Sequence, residues 1–117
     1  MALRIRMVTI DCLDTHKLAE FWVAALGAEI IHEVDDGDML VLASEGNVDI
    51  GLQRVDELRE GKNRLHIDLG APDRPAEVAR LVALGATVVE EHTYPGMAWS
   101  VLRDPEGNEF CVGSRNG

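Results

Sequence analysis

The stretch RLHIDLGAPD, residues 64–73, carries side chains that could do chemistry. Arg64, His66 and Asp68 alternate there with Leu65, Ile67 and Leu69. Because successive side chains of a β-strand point to opposite faces, this alternation predicts a strand with one apolar and one polar face. A histidine and a carboxylate on one strand face can carry protons, bind a metal ion or hold a polar ligand.

A second set of reactive side chains lies near the end of the chain, in the predicted strand that follows the turn DPEGN. Glu109 and Cys111 are two residues apart and therefore share a face, while Phe110 points to the other. Trp99, on the strand before the turn, offers a flat wall for an aromatic or planar ligand. A nucleophilic Cys111 paired with His66 is the weaker interpretation, because the sequence indicates no oxyanion hole beside it.

The sequence contains an internal repeat, so the elements that must position these residues are expected twice. AALGAEIIHE at 24–33 recurs as VALGATVVEE at 82–91, and MVTIDCLD at 7–14 matches HIDLGAPD at 66–73. The first match has an offset of 58 residues and the second an offset of 59, so the second copy is one residue shorter between these two blocks. The sequence therefore predicts one domain, 1–117, made of two modules at about 1–57 and 62–115, joined by the polar segment 56–63.

Each module shows the pattern βαβββ, which predicts an α+β fold. In the first module a helix runs from the N-cap Asp14 to Gly27, and in the second module from Asp73 to Gly85. Alternating apolar runs predict strands at 3–13, 28–34, 38–44 and 48–55, then at 64–69, 87–92, 98–103 and 109–114.

One helix covers only one face of a small sheet. We expect Val8, Ile10 and Cys12, and Leu65, Ile67 and Leu69, to lie beneath the helices. The opposite faces would carry Met7, Thr9 and Asp11 in one module and His66 and Asp68 in the other. Two twisted sheets side by side would curl these faces into one cup, with the helices outside.

Composition excludes several classes of protein. Twenty-one acidic and eleven basic residues give a net charge of −10, which argues against a nucleic-acid partner. The charge aids solubility and would also steer a cationic ligand. No apolar run is long enough to cross a bilayer, and no signal peptide is evident, so we expect a cytoplasmic protein without membrane contact. Cys12 and Cys111 are expected to be thiols.

Three motifs carry a family resemblance. They are D-x-x-x-L-A-x-F-W-x-x-A-L-G at 14–27, N-R-x-H-x-D-L at 63–69 and D-P-E-G-N-E-F-C at 104–111. Together with the tandem βαβββ pattern they resemble the vicinal oxygen chelate superfamily, and within it the glyoxalase-like domain proteins. That superfamily includes glyoxalase I, extradiol dioxygenases, fosfomycin-resistance enzymes and bleomycin-resistance proteins. The resemblance implies a homodimer.

The resemblance also implies where metal ligands would lie. Position by position it gives Met7 and His66 from the first strands and Cys111 from the last strand, where many members have glutamate. The position in the first module that is equivalent to Cys111 depends on the alignment. The offset of 58 makes it Gln53, whereas matching the two EGN turns gives an offset of 61 and makes it Ile50. This set lacks the carboxylates that Mg²⁺ or Mn²⁺ prefers.

Two functional hypotheses follow. The first is a small-molecule-binding protein without a metal cofactor, whose ligand is cationic or aromatic and contacts a set of cup-facing residues: Met7, Asp11, Gln53, His66, Asp68, Trp99, Glu109 and Cys111. The alternative is a metal-dependent enzyme of glyoxalase, isomerase or dioxygenase type, with Zn²⁺ or another divalent metal held by His66, Cys111, Gln53 and Glu109. In the alternative, a one-step register shift would bring Glu109, with Asp11 or Asp68, towards the ion. A third reading, a purely structural domain, has the cup filled by side chains.

Overall fold

The computed structural model of the chain describes residues 2–114. These residues form two compact units that divide between Arg59 and Glu60. Each unit has the order βαβββ, so the predicted α+β fold with a tandem repeat is confirmed.

The first unit is a four-stranded sheet with one helix. Its elements are β1 (Met7–Cys12), α1 (Thr15–Leu26), β2 (Glu29–Val34), β3 (Met39–Ala43) and β4 (Asp49–Arg54). The strand order is β1-β4-β3-β2, in which β1 and β4 are parallel and the other pairs are antiparallel. The first strand therefore pairs with the last strand of its own unit.

The second unit repeats this arrangement. Its elements are β5 (Ile67–Gly70), α2 (Arg74–Ala83), β6 (Thr87–Tyr94), β7 (Met97–Arg103) and β8 (Glu109–Ser114). The strand order is β5-β8-β7-β6, and again only the pair of first and last strands, β5 and β8, is parallel within this sheet. This pairing places residues from opposite ends of the second unit side by side.

Both helices begin and end where the sequence predicts. The carboxylate of Asp14 accepts the Lys17 N–H at 3.1 Å, and that of Asp73 accepts the Ala76 N–H at 3.1 Å. Gly27 ends α1 in the left-handed conformation, with φ 62°. Among residues 2–114, no helix combines the length and apolar character needed to span a membrane.

Each helix packs on one face of its own sheet. In the first unit the buried layer joins Leu18 and Trp22 of α1 to Leu40, Leu42 and Leu52 of the sheet. In the second unit, the same layer comprises Val78, Leu81, Leu102, Phe110 and Val112. Among the residues that the structure describes, each unit has one helix, so the other face of its sheet is without a helix of its own unit.

Two strand predictions need correction. The first strand begins at Met7 rather than at residue 3. The first strand of the second unit begins at Ile67, and Leu65, which we expected beneath a helix, is 71% exposed. The physical reason is the short partner strand. Because β8 begins at Glu109 and its Phe110 pairs with Ile67, β8 offers no partner to residues before His66.

Candidate functional site

The polar residues of the second unit lie on the helix-free face of its sheet, which we term the open face. Directly paired residues of neighbouring strands point to the same side of a sheet. One such rung joins Asp68, Cys111, Val101 and Glu90, and another joins Gly70, Gly113, Trp99 and His92. The residues that alternate with them, including Phe110, Val112 and Leu102, are buried on the helix side. The parity predicted for His66, Asp68 and Cys111 is thereby confirmed.

Three of these residues form a compact group, the His66–Asp68–Cys111 cluster. One ligand atom from each residue lies within 4.8 Å of the other two. The Nε2 atom of His66 is 3.5 Å from Oδ1 of Asp68. His66 and Asp68 are exposed, whereas Cys111 is only 7% exposed. A nitrogen, an oxygen and a sulfur donor therefore meet at the solvent boundary of the open face.

The Cys111 thiol is held in its protonated form. Burial raises the pKa of Cys111 to about 11, and the negative charge of Asp68 and a hydrogen bond to its carboxylate act in the same direction. The charge of Glu109 adds to this, while that of Lys62 opposes it. The nucleophilic role considered for Cys111 is unsupported, because a reactive thiol needs a lowered pKa.

An aromatic group occupies the neighbouring part of the open face. The Trp99 ring stacks with His92, at 4.9 Å between centroids and 25° between planes, and with Tyr94, at 5.4 Å and 15°. The Nε2 atom of His92 lies 3.0 Å from Oε2 of Glu90. These contacts join the three rings into one aromatic group on the open face.

Glu109 lies outside the cluster. Glu109 of β8 pairs with Arg103 of β7, and its carboxylate lies 3.4 Å from Nη2 of that arginine. Asp68 takes the place that the alternative hypothesis gave to Glu109. Within residues 2–114, the group of side chains close enough to share a metal ion is therefore His66, Asp68 and Cys111.

The first unit has no comparable cluster at the equivalent positions. Since Met7 matches His66, the register of β1 with β4 makes Thr9 the counterpart of Asp68, and Gly51 that of Cys111. By this register neither Gln53 nor Ile50 is the counterpart of Cys111. The offset of 58 does not reach β8 because Val88 pairs with Leu102 at a spacing two residues longer than that of Ile30 and Leu42. Matching the EGN turns fails because one residue more separates this turn from the strand in the first unit.

Side chains of the first unit cover Gly51. A Cβ atom at this position would lie 2.8 Å from Oγ1 of Thr9, 3.0 Å from Cε of Met39 and 3.1 Å from Sδ of Met7. Asp11 and Gln53 pair with each other one rung further along and are exposed. The predicted site residues Met7, Asp11 and Gln53 thus share the helix-free face of the first sheet.

The donor set of the cluster decides which metals it could hold. Imidazole, carboxylate and thiolate are all zinc ligands, and three of them leave one tetrahedral position open. Mg²⁺ and Mn²⁺ prefer oxygen donors, of which the cluster offers one residue. Zinc fits by ligand type, but its binding requires Cys111 to lose the proton that Asp68 and burial hold in place.

Sequence reasoning missed Tyr94 because it ended this strand at residue 92. Tyr94 pairs with Met97 across a two-residue hairpin, Pro95–Gly96, in which Gly96 has φ 77°. A Pro-Gly pair at the centre of a turn is a hairpin signal that would have extended the strand to Tyr94. Gly70 and Gly113 were also missed, since a glycine gives no chemical signal of its own.

Comparisons with known proteins agree with the fold. A family model for the glyoxalase-like domain matches residues 7–113. A glyoxalase/bleomycin resistance protein/dioxygenase family enzyme from Burkholderia phytofirmans PsJN is 20% identical, with a TM-score of 0.83 over 97% of this chain and 99% of that one. A comparison with curated proteins gives no match.

Two further solved structures are similar. A fosfomycin resistance protein from Listeria monocytogenes, solved with Mn(II) and a dihydroxypropylphosphonic acid, is 18% identical, with a TM-score of 0.79 over 96% of this chain and 90% of that one. A lactoylglutathione lyase from Agrobacterium tumefaciens is 20% identical, with a TM-score of 0.72 over 97% and 95%. At these identities the likeness establishes the fold alone. With its tandem βαβββ units and the family match over 7–113, the chain belongs to the glyoxalase-like domain family of the vicinal oxygen chelate superfamily.

Proposed function

We propose that this protein binds a small molecule on the open face of its second unit and does so without a catalytic metal. The observation that carries the proposal is the pairing of Asp68 with Cys111. Where the family resemblance implies a carboxylate ligand, this chain has a thiol that donates its hydrogen to the neighbouring carboxylate. The group that would hold a metal is already engaged with a partner of its own.

Competition between proton and metal supports the metal-free reading. Near pH 7 almost all of Cys111 is protonated, because burial and Asp68 hold its pKa at about 11. A metal must displace that proton, so its apparent affinity falls with each pH unit below the pKa. His66 and Asp68 alone are two exposed ligands, fewer than the three protein ligands usual at a catalytic zinc.

The open face offers what a small ligand needs. The stacked rings of Trp99, His92 and Tyr94 provide apolar area, and the His66–Asp68–Cys111 cluster provides donors and acceptors. Binding sites for small molecules combine such apolar walls with a few polar groups that fix orientation. The two groups lie on neighbouring rungs of one sheet, within reach of a single ligand.

The experiment is a thermal-shift panel of cationic and neutral aromatic compounds on protein pretreated with EDTA. We expect at least one compound to raise the melting temperature, and the gain to be lost in Asp68→Ala and in Trp99→Ala. Glu20→Ala, on an exposed position of α1, is the matched control and should keep the gain. A panel without hits, or hits that ignore both substitutions, would contradict the proposal.

A zinc-dependent enzyme is the second candidate, and one observation favours it. Three potential ligand atoms lie within 4.8 Å of one another, with a position left for water or substrate. A bound zinc ion would act there as a Lewis acid on an oxygen of the substrate. Elemental analysis of gently purified protein separates the candidates. One zinc per chain, lost on His66→Ala and on Cys111→Ala, would favour the enzyme.

We also propose that the protein is a homodimer, as its family resemblance implies. Light scattering coupled to size exclusion should give about twice the mass of 12.8 kDa for one chain. A monomer at all concentrations tested would overturn this proposal and leave the ligand proposal untouched.

A further inference from the structure

We infer that the ligand carries a planar, positively charged ring system, which lies flat on bare backbone at Gly70 and Gly113 beside Trp99. This inference deepens the proposed function and depends on it. It assigns a role to two glycines that neither the chemistry of the cluster nor the family resemblance singles out. We term this part of the open face the glycine shelf.

The two glycines are direct neighbours in one rung. Gly70 of β5 pairs with Gly113 of β8, and Gly113 pairs with Trp99 of β7. Because neither glycine has a side chain, the sheet presents two adjacent positions of bare backbone, exposed at Gly70 and half-buried at Gly113, next to an indole ring. A flat ring of moderate size needs such a surface to reach van der Waals distance from a sheet.

Neither glycine is required by the fold of its own unit. Neither has the positive φ that favours glycine, unlike Gly27 or Gly96. A Cβ atom on Gly70 would have nothing within 4 Å, and one on Gly113 would meet its nearest atoms at an ordinary 3.6 Å. Gly51 of the first unit differs, since Thr9, Met7 and Met39 crowd it.

Gly70 is the last residue of β5 and Gly113 the last but one of β8, and glycine at a paired strand position lowers stability, so the presence of both needs a reason. Glycine removes a side chain that would pack and increases the entropy of the unfolded chain. Where φ and internal packing do not require it, glycine in a strand typically marks the close approach of a ligand or of another backbone. Because Trp99 and its two stacked rings lie beside the glycines, an aromatic ligand is a better occupant than another backbone.

The charges around the glycine shelf favour a cation. Asp68 lies two residues before Gly70 on β5, and Glu90 lies two residues before His92 on β6. Each spacing corresponds to about 6.6 Å along the strand. Within residues 2–114, their carboxylates lie beside the rings of His66 and His92 rather than beside lysine or arginine. Lys62 does act on Cys111, but the opposing effects of Asp68 and Glu109 are larger.

The positive charge has a second source of attraction. A cation close to an aromatic ring is attracted by the negative charge on the face of the ring, and Trp is the best partner. The net charge of −10 adds a long-range field of the same sign. A planar anion would meet Asp68 and Glu90 at this end of the sheet. Arg103, the nearest arginine on β7, is already paired with Glu109.

The test uses three probes and follows binding by fluorescence or calorimetry. The probe 9-aminoacridine is planar and cationic, 2-naphthalenesulfonate is planar and anionic, and 1-adamantanamine is cationic but bulky. We expect 9-aminoacridine to bind at least about tenfold more tightly than either of the others. Trp99→Ala should weaken that binding by about tenfold or more.

The decisive variants fill the glycine shelf. Gly70→Val should weaken 9-aminoacridine binding by at least about tenfold while leaving the melting temperature equal or higher, because valine favours strands. Gly70→Ala should have a smaller effect in the same direction, and it serves if the valine variant folds poorly. Thr87→Val, near the far end of the same sheet, is the control and should bind as the unchanged protein does.

The outcomes separate this inference from the proposed function. If binding is weakened by Trp99→Ala and Asp68→Ala but is unchanged by Gly70→Val, the glycine shelf is not used. This inference is then overturned, while the proposed function stands. The same holds if 2-naphthalenesulfonate or 1-adamantanamine binds as tightly as 9-aminoacridine. If neither these probes nor the aromatic panel bind at concentrations up to about 1 mM, both are overturned.

Discussion

Asp68 and Cys111 stand directly opposite each other in the parallel pair of β5 and β8, and the thiol donates a hydrogen bond to the carboxylate. At the equivalent positions of the first unit the chain has Thr9 and Gly51. The two units therefore share a backbone pattern but differ in chemistry. Polar donors concentrate on the second unit, while thioethers and a hydroxyl cover the same place in the first.

The pKa of Cys111 predicts a dependence of stability on pH. In the unfolded chain the thiol ionises near its ordinary value of 9, whereas in the folded chain it ionises near 11. Between these values only the unfolded state has lost the proton, so the free energy of unfolding falls as the pH rises from about 9 to about 11. Urea denaturation across this range should show a shallower fall for Cys111→Ala. Equal slopes would contradict the assigned pKa.

Asp68 should control the reactivity of Cys111. Its charge and its hydrogen bond both raise the thiol pKa, so Asp68→Asn should lower that pKa and enlarge the thiolate fraction. In a Cys12→Ala background, the reaction with a disulfide reagent at pH 8 should be several-fold faster in Asp68→Asn. Glu90→Gln removes the same charge from the same face and should leave the rate unchanged. A rate that ignores Asp68→Asn would argue against the hydrogen bond.

The turn before β8 depends on Asp104. This residue is 3% exposed, and its Oδ1 atom accepts the N–H groups of Glu106 at 2.9 Å and Asn108 at 3.0 Å. Asp104→Ala leaves two half-buried donors without this acceptor and should lower the free energy of unfolding by about 1–3 kcal/mol. Asp104→Asn keeps one acceptor oxygen, and its effect should be roughly half as large. A loss below about 0.5 kcal/mol for the alanine variant would contradict this role.

A polar network links α2 to the sheet. Nη1 of Arg74 lies 2.7 Å from Oγ of Ser100, which is fully buried, and 3.7 Å from the Glu91 carboxylate. Ser100→Ala removes the closest acceptor of a mostly buried guanidinium and should lower the free energy of unfolding by about 1–3 kcal/mol. Adding Arg74→Met should recover part of the loss, because no buried charge then lacks a partner. Strictly additive losses would contradict the coupling.

Local signals in the sequence were enough to predict the helices and the strand faces. Asp14 and Asp73 cap their helices through side-chain bonds to the chain three residues on, an interaction that spacing alone predicts. The alternation around Asp68 predicted which side of the sheet it would occupy, because a strand has a strict period of two. These features depend on neighbours along the chain and not on distant partners.

Register between strands could not be predicted in the same way. The pairing of Cys111 with Asp68, and of Gly51 with Thr9, depends on where each strand begins beside its partner. One additional residue between the EGN turn and β4 shifted the counterpart of Cys111 from Ile50 to Gly51. Leu65 was misplaced for a related reason, since β8 is too short to pair with it.

The central claim is that the open face of the second unit binds its ligand without a metal. Its most direct test is a titration of ¹⁵N-labelled, EDTA-treated protein with 9-aminoacridine, repeated after adding zinc. We predict that amide shifts concentrate at 66–70, 92–101 and 109–113, and that zinc changes the Kd by less than about threefold. Binding that appears only with zinc, or shifts confined to the first unit, would contradict the account.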